Sequence, residues 1–446
     1  MPSAFGDWEP YPHGAPFDNL NGSVNPHVPH HHPHPAQGPP RLPPISPSNP
    51  RSYWYEQIDH NGISPFIENG ANWTVYRNVK DYGAKGDGVT DDSTAIQAAI
   101  NDGGRGPGGN GKGTTGAPAV VYFPAGSYNM AHPIQLYVDT VLLGNPISRP
   151  TLQAASSFSG NTLVYGKDPG LDATINFYVG IKNLVLDSTQ APSEVEFLLL
   201  DWSVSQATQL TNTLFRMPYG SSHTGVSTVE GGSGTFMGNL DFEGGAVGLN
   251  INNQQYSVKD VTFTGCQTGV VISHGFDIVF QGLQFTSCTI GINATAGGVG
   301  NVGSFALLDT TADSVDTLVL TKTQFNTTSF STTGDDSVVI DHLQTTKVAK
   351  TVVADNTTLL VGGVGQTWVY GNAYLTGGPL AGVHDNGVTY ESSRSPSLTV
   401  AGDHFFTMPP PTYQEYRVEQ VINIKNVPGY PVYGDGQTVR SLSCSP

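Results

Sequence analysis

Charge is scarce in this sequence, and positive charge scarcest. Of 446 residues only 12% are charged, with 19 Lys and Arg against 36 Asp and Glu, a net charge of −17. No arginine occurs between Arg216 and Arg394. A nucleic-acid binder carries a basic stripe, and none is visible. A polyanionic ligand such as pectate would be repelled unless cations bridged it, whereas a neutral polysaccharide would not. The acids equally serve solubility. No apolar run reaches ~18 residues, so no transmembrane helix is expected. The opening residues, MPSAFGDWEPYPHGAPF, lack the basic start and apolar stretch of a secretion signal. Long amphipathic helices are also unexpected, because the chain is poor in the residues that build them.

Glycine is abundant instead, at 54 residues, together with Thr, Ser, Asn and Val. That composition suits β-structure with many turns. An internal repeat is visible at long range: NVKDYGAKGDGVT (78–90) returns as NIKNVPGYPVYGDGQT (423–438), three residues longer. The chain thus starts one kind of domain twice. The boundaries expected are a Pro/His-rich disordered segment (1–50), an extended aromatic arm (51–75), a solenoid domain (76–415) and the truncated start of a second domain (416–446). The His27–His34 cluster is an incidental tract or a metal binder. In the arm, Tyr53, Trp54, Tyr55, Phe66 and Trp73 are expected to pack on the main domain.

A second repeat fixes the architecture. LDFEGGAVGLNI, VTFTGCQTGVVI and LQFTSCTIGINA align on Phe242, Phe263 and Phe285, with Gly248, Gly269 and Gly291 keeping a similar step of 21 or 22 residues. A strand recurring at that interval, with Gly at the following bend, fits one coil of a parallel β-helix, each strand stacked ~4.8 Å from the last. Ala95, Ile96, Ala99 and Ile100 fall on one face of a short helix that Thr90 or Asp91 caps. Asp87, Asp91 and Asp92 are explained by turn and cap chemistry rather than by a ligand. The Gly103–Gly116 loop lacks the Gly-Lys-Ser/Thr ending of a phosphate loop. Cys266 and Cys288 sit in near register on adjacent coils, as buried thiols or as a disulfide; Cys444 stands alone in the tail. The fold expected is therefore all-β, a right-handed parallel β-helix with a short N-terminal capping helix and a second β-helix essentially absent.

YRNVKDYGAKGDGVTDDSTAIQAAI (76–100), VVYFPAGSY, the YWYEQIDHNGISPF arm and GGSGTFMGNLDFEGGAVGLNINNQQY (231–256) resemble the pectate-lyase-like β-helix superfamily. Within it they resemble the N-terminal half of glycoside hydrolase family 55, the β-1,3-glucanases. The resemblance covers about residues 51–438. It implies two β-helices side by side with sugar bound between them, and an inverting exo-hydrolysis that releases glucose. It places the general-acid Glu in the second helix, so no position here would carry it. Asn253, Gln254 and Gln255 fit the family's Asn-Gln-Gln stretch and would bind substrate, since amides both donate to and accept from hydroxyls; an Asn/Gln ladder inside the stack is the alternative. Where the family has a Trp-rich coil, this chain reads VISHGFDIVF, offering His274 and Phe276.

Among first-helix carboxylates Glu243 is the best lone catalytic candidate, because it follows Phe242 and should point outward. Glu230, Asp241 and Asp260 lie near it in sequence. No metal or cofactor is implied. A calcium pectate lyase would need an Arg base, which the arginine-free stretch disfavours. A polygalacturonase would show its Gly-Asp-Asp before its His element; here Gly334-Asp335-Asp336 follows Ser273-His274-Gly275. Two readings remain, a β-1,3-glucan hydrolase by descent or a non-catalytic glucan-binding or structural β-helix. The resemblance further implies an extracellular protein, a neutral β-glucan partner, no nucleic acid or membrane partner, and self-association through an uncovered cleft face.

Overall fold

The computed structural model describes residues 53–60, 70–111, 116–232, 234–297, 302–322, 337–373, 382–400 and 402–421. The Pro/His-rich segment, Gly334-Asp335-Asp336, Cys444 and the repeated start at 423–438 lie outside the described residues.

From Tyr76 to Ala354 the strands pair in parallel with the preceding and following coil, giving a right-handed β-helix of three faces. On each face one interior column runs through the coils. The first holds Val121, Leu142, Ile181, Leu210, Met237, Val258, Phe280, Leu307 and Ile340 in strict register. The second holds Tyr128, Leu152, Leu186, Phe215, Phe242, Phe263 and Phe285. The third holds Val164, Leu200, Val226, Leu249, Val270, Ile292, Val319 and Val352. All are buried. No coil covers its own inner face, so each depends on its neighbours.

The phenylalanine repeat read from the sequence forms a stack of rings, and Phe215 precedes it as a fourth member. Successive centroids are 4.8, 5.0 and 5.1 Å apart with planes within 11°. The glycines that accompany the repeat do a different job from the one expected. Gly248 and Gly269 are not left-handed bends; they face inward, where an added Cβ would stand 2.7 Å from Phe263 and 2.6 Å from Phe285. Each ring occupies the space that a glycine one coil earlier leaves empty.

Helix Ser93–Asn101 caps the open end of the stack, with Ile96, Ala99 and Ile100 fully buried. Its N-cap is Asp92, one residue later than expected, while Asp91 accepts from Ser93 N at 3.0 Å. Asp92 instead takes the amides of Lys85 and Gly86 at 2.6 and 3.0 Å, and Asp87 takes those of Val89 and Thr90. These acids are structural, as the turn reading has it. Two buried arginines close the cap. Arg77, in register with Val121, donates to Ala99 O and Ile100 O at 3.0 and 3.2 Å. Arg105 donates to Ile100 O, Ala117 O and Val138 O and to Thr140 Oγ1 at 2.7–2.9 Å.

Beside Arg105, burial pushes the Asp139 carboxyl from 3.8 up to about 6, with Arg105 opposing. A raised carboxyl pKa means that the folded chain binds the proton more tightly than the unfolded chain. The stabilisation is therefore full below pH ~4 and is lost as pH rises through 6. Asp139 also has φ 65°, which Asn tolerates. Asp139→Asn is expected to raise the melting temperature by a few degrees at pH 8. The gain should vanish at pH 4, as thermal scans at the two pH values would show.

The described part of the arm packs on the first coils, while Phe66 lies outside the described residues. Tyr53 is buried against Tyr122, with centroids 6.5 Å apart, and His60 stacks on Tyr76 at 3.4 Å. At the far end Val364–Ala373 pairs antiparallel with Ser337–Thr346, and Gly382–Tyr390 pairs antiparallel with it in turn. The chain then returns along the corner between the first and second faces as a strap. Phe405 N donates to Asp309 at 2.9 Å and Thr407 Oγ1 to Asp260 at 2.6 Å. Tyr53 Oη and Trp54 Nε1 donate to Thr412 O and Tyr413 O at 3.2 and 2.9 Å. Pro409-Pro410-Pro411 suits such a path, because a polyproline stretch stays extended without partners for its backbone. The domain expected at 76–415 thus contains the parallel coils, an antiparallel end and most of the strap.

Cys266 and Cys288 are buried free thiols. Cys288 Sγ donates to Phe263 O and Thr286 O at 3.6 Å. The hydrogen bond that Cys266 donates to Cys288, then burial, pushes the Cys266 thiol strongly up, which keeps it protonated and unreactive.

Candidate functional site

The outer surface of the third face carries a groove of about 520 Å³. Two outward columns border it. One runs Leu198, Thr224, Val247; the other runs Asp201, Ser227, Asn250. Thr162, Ser221 and Gln267 complete a lining of hydroxyls and amides, with Glu196 at one end. Asn250 Nδ2 reaches Ser227 Oγ at 3.4 Å, and Gln267 Nε2 donates to Ser221 O at 3.3 Å. At the corner before the groove Tyr219 is 68% exposed, its ring lying over the backbone of Gly265. An aromatic face beside convergent hydroxyls and amides suits a sugar ring, which offers both apolar C–H and polar O–H.

Beyond the groove, at the turn into the first face, lie Asp201, Lys167 and Glu230. Burial raises the Asp201 pKa above the ordinary value, opposed by the Ser203 hydroxyl and amide at 2.5 and 3.1 Å. Lys167 pairs with Glu230 at 3.1 Å.

The residues proposed from sequence separate into three places. Asn253 is buried within the turn; its Nδ2 donates to Tyr256 Oη at 2.6 Å and its Oδ1 accepts from Gln254 N at 2.7 Å. Both ends are engaged within its own turn, rather than by amides of neighbouring coils as in the ladder alternative. Gln254 is half-buried and its carbonyl accepts from Phe276 N at 2.6 Å. Gln255 is exposed, in register with exposed Asp277. Half-buried His274 packs its ring edge against Phe276, 5.3 Å between centroids. These last four residues form a polar and aromatic rim.

Glu243 is elsewhere. It ends the second face, pointing outward as expected, where Arg216 Nε holds it at 3.0 Å and Asp187 lies 3.6 Å from the same guanidinium. Strand Val247–Asn252, of 6 residues, stands between Glu243 and Asn253. At about 3.3 Å per residue that is roughly 20 Å. Glu243 therefore stands a full face away from the Asn-Gln-Gln turn. Glu196 in the groove lining and Asp201 beyond it bracket strand Phe197–Asp201 and stand about 16 Å apart by the same measure. Sequence reasoning missed Tyr219, Ser227, Asn250 and Gln267. Their signal is faint: Ser227 and Asn250 repeat at the coil interval, but one Ser and one Asn in an Asn- and Ser-rich chain do not stand out.

A three-faced parallel solenoid with a polar groove on one face is a parallel β-helix. Residues 76–293 match the family described as rhamnogalacturonase A/epimerase, pectate lyase-like. The chain is 34% identical over 400 residues to a glucan 1,3-β-glucosidase of Cochliobolus carbonum, covering 86% of this chain and 50% of that protein. It is 36% identical over 341 residues to a probable glucan endo-1,3-β-glucosidase of Arthroderma benhamiae, covering 73% of this chain and 38% of that protein. A third relative, the non-secreted LysM effector LysM19 of Penicillium expansum, is 33% identical over 413 residues, 86% of this chain and 31% of that protein. The chain is thus a homologue of proteins named glucan 1,3-β-glucosidase, in keeping with the resemblance of its motifs to family 55. It spans about half the length of these relatives, or less.

Proposed function

We propose that this chain is the sugar-holding β-helix of a β-1,3-glucan hydrolase and that by itself it binds neutral β-1,3-glucan without cleaving it. The groove outside the third face carries this reading. It is walled largely by hydroxyls and amides, has no basic side chain in its lining, and follows a corner that carries the exposed Tyr219. Glu196 is the one carboxyl in its lining, and inversion needs a pair, which supports holding rather than cleavage. Gln255, His274 and Phe276 extend the contact surface past the groove. The names of the relatives supply the sugar class, and their greater length accommodates catalytic groups that this surface lacks. Extracellular action fits the glucosidase relatives, while the effector relative is named non-secreted; immunodetection in medium against cell lysate separates the two.

The test is co-sedimentation with insoluble β-1,3-glucan. The chain is expected to be retained, Tyr219→Ala with Asn250→Ala to weaken retention about tenfold, equivalent to ~1.4 kcal/mol, and laminarin to yield no glucose. Retention that both variants leave intact, or robust glucose release, would contradict the reading.

A further inference from the structure

The corner between the first and second faces is a column of left-handed residues: Asn183, Asn212, Asn239, Asp260, Gly282, Asp309 and His342, with φ of 48–69°. In the early coils it is an amide chain. Asn212 donates to Asn183 Oδ1 at 2.8 Å and Asn239 to Asn212 Oδ1 at 3.4 Å. Where the strap returns, the column changes to Asp260, Asp309 and His342, and these residues are bound to the strap.

The densest point is ionic. Asp309, 8% exposed, accepts from Arg394 Nη1 at 2.5 Å, His404 Nδ1 at 3.0 Å and Phe405 N at 2.9 Å. Arg394, 3% exposed, also pairs with Asp341 at 3.0 Å, and its guanidinium lies 4.0 Å over the Phe405 ring. His342 lies between Asp341 on its own strand, at 2.5 Å, and Asp403 of the strap, at 3.4 Å. His404 faces Asp309 and the neutral amide of Gln344 at 3.4 Å. The cluster therefore holds three carboxylates and one guanidinium, which pairs with Asp309 and Asp341 and donates to the backbone carbonyl of Asp403 at 2.8 Å, and protonation of both imidazoles balances the remaining two charges. An imidazole ordinarily changes charge between pH 5 and 8. With neutral rings the cluster keeps two uncompensated negative charges in a half-buried site, which favours separation of the strap from the coils.

We propose that the strap is a pH-dependent latch, held on the last coils by His342, His404 and Arg394 against Asp309, Asp341 and Asp403 in acid and loosened at alkaline pH. Releasing it uncovers the Asp260–Asp309 corner and frees the chain that leads to Thr412 and Tyr413, the residues bonded to the arm. The inference does not depend on what the groove binds.

Hydrogen–deuterium exchange of the full chain at pH 5.5 and 8, corrected for intrinsic rates, tests it. Protection of residues 402–408 is expected to fall about tenfold at pH 8, the size expected when two half-buried ion pairs lose charge, while protection around Phe263 stays constant. The pH difference should disappear in the double variant His342→Gln, His404→Gln, and Asp309→Asn should loosen the strap at both pH values. Equal protection at the two pH values, a difference that survives in the double variant, or an unaltered strap in Asp309→Asn would each overturn the proposal.

Discussion

Phe263→Ala is expected to lose about 3–5 kcal/mol of stability. The ring is fully buried and stacked on both sides, on Phe242 at 5.0 Å and Phe285 at 5.1 Å. Its rim fills the space left by Gly248. Removing it leaves a gap that the neighbours cannot close, because their spacing is set by the backbone ladder at ~4.8 Å per coil. Both the transfer energy and the cavity term are therefore lost. The effect should spread along the stack, since each coil is stable only with its neighbours. Chemical denaturation should show a lower midpoint, and Phe263→Leu, which refills most of the volume, should recover a large part of it. A loss below ~1 kcal/mol would show that the rings are loosely held.

Arg105→Met is expected to be the next most damaging change, at about 2–5 kcal/mol. The guanidinium is buried and serves four acceptors at the capped end. Ile100 O keeps Arg77 as a donor, and Thr140 Oγ1 keeps its bond to Tyr137 O at 2.6 Å. Ala117 O and Val138 O lose their Arg105 donors, and leaving a buried acceptor unmet costs about 1–3 kcal/mol. Burial lowers the Arg105 pKa from 12.5 to about 10, still far above neutrality, so the charge persists at physiological pH. Arg105→Lys should not rescue, because one ammonium cannot reproduce a planar fork aimed at several carbonyls. Exchange at the Ser93–Asn101 helix and the Ala119–Phe123 strand should increase first. A variant as stable as the parent would show that the helix caps the stack without its arginine.

The solenoid was legible because its signal is repetitive. Phe242, Phe263 and Phe285 recur at the coil interval, and stacking makes that interval a contact. The roles of the glycines were not legible, because the same Gly serves a bend or a ring beside it, and only the third dimension tells which. Asn253 shows the matching limit for sites. Family resemblance and residue type both mark it as a binder, yet the turn folds it inward onto Tyr256. Glu243 was correctly expected to face outward, but outward on the second face is across the solenoid from the Asn-Gln-Gln turn. The strap was not foreseen, because Asp309 and Arg394 are 85 residues apart and neither belongs to a repeat.

The groove outside the third face is where sugar should sit, and mapping it by deuterium exchange is the most direct test. With a soluble β-1,3-gluco-oligosaccharide added, protection is expected at residues 196–201, 221–227 and 247–250, with a smaller effect at 254–256 and 274–277. The Asp187–Arg216–Glu243 side of the second face should not change. Protection centred on that second face, or none on the third at saturating oligosaccharide, would contradict the assignment of this groove as the glucan-holding surface.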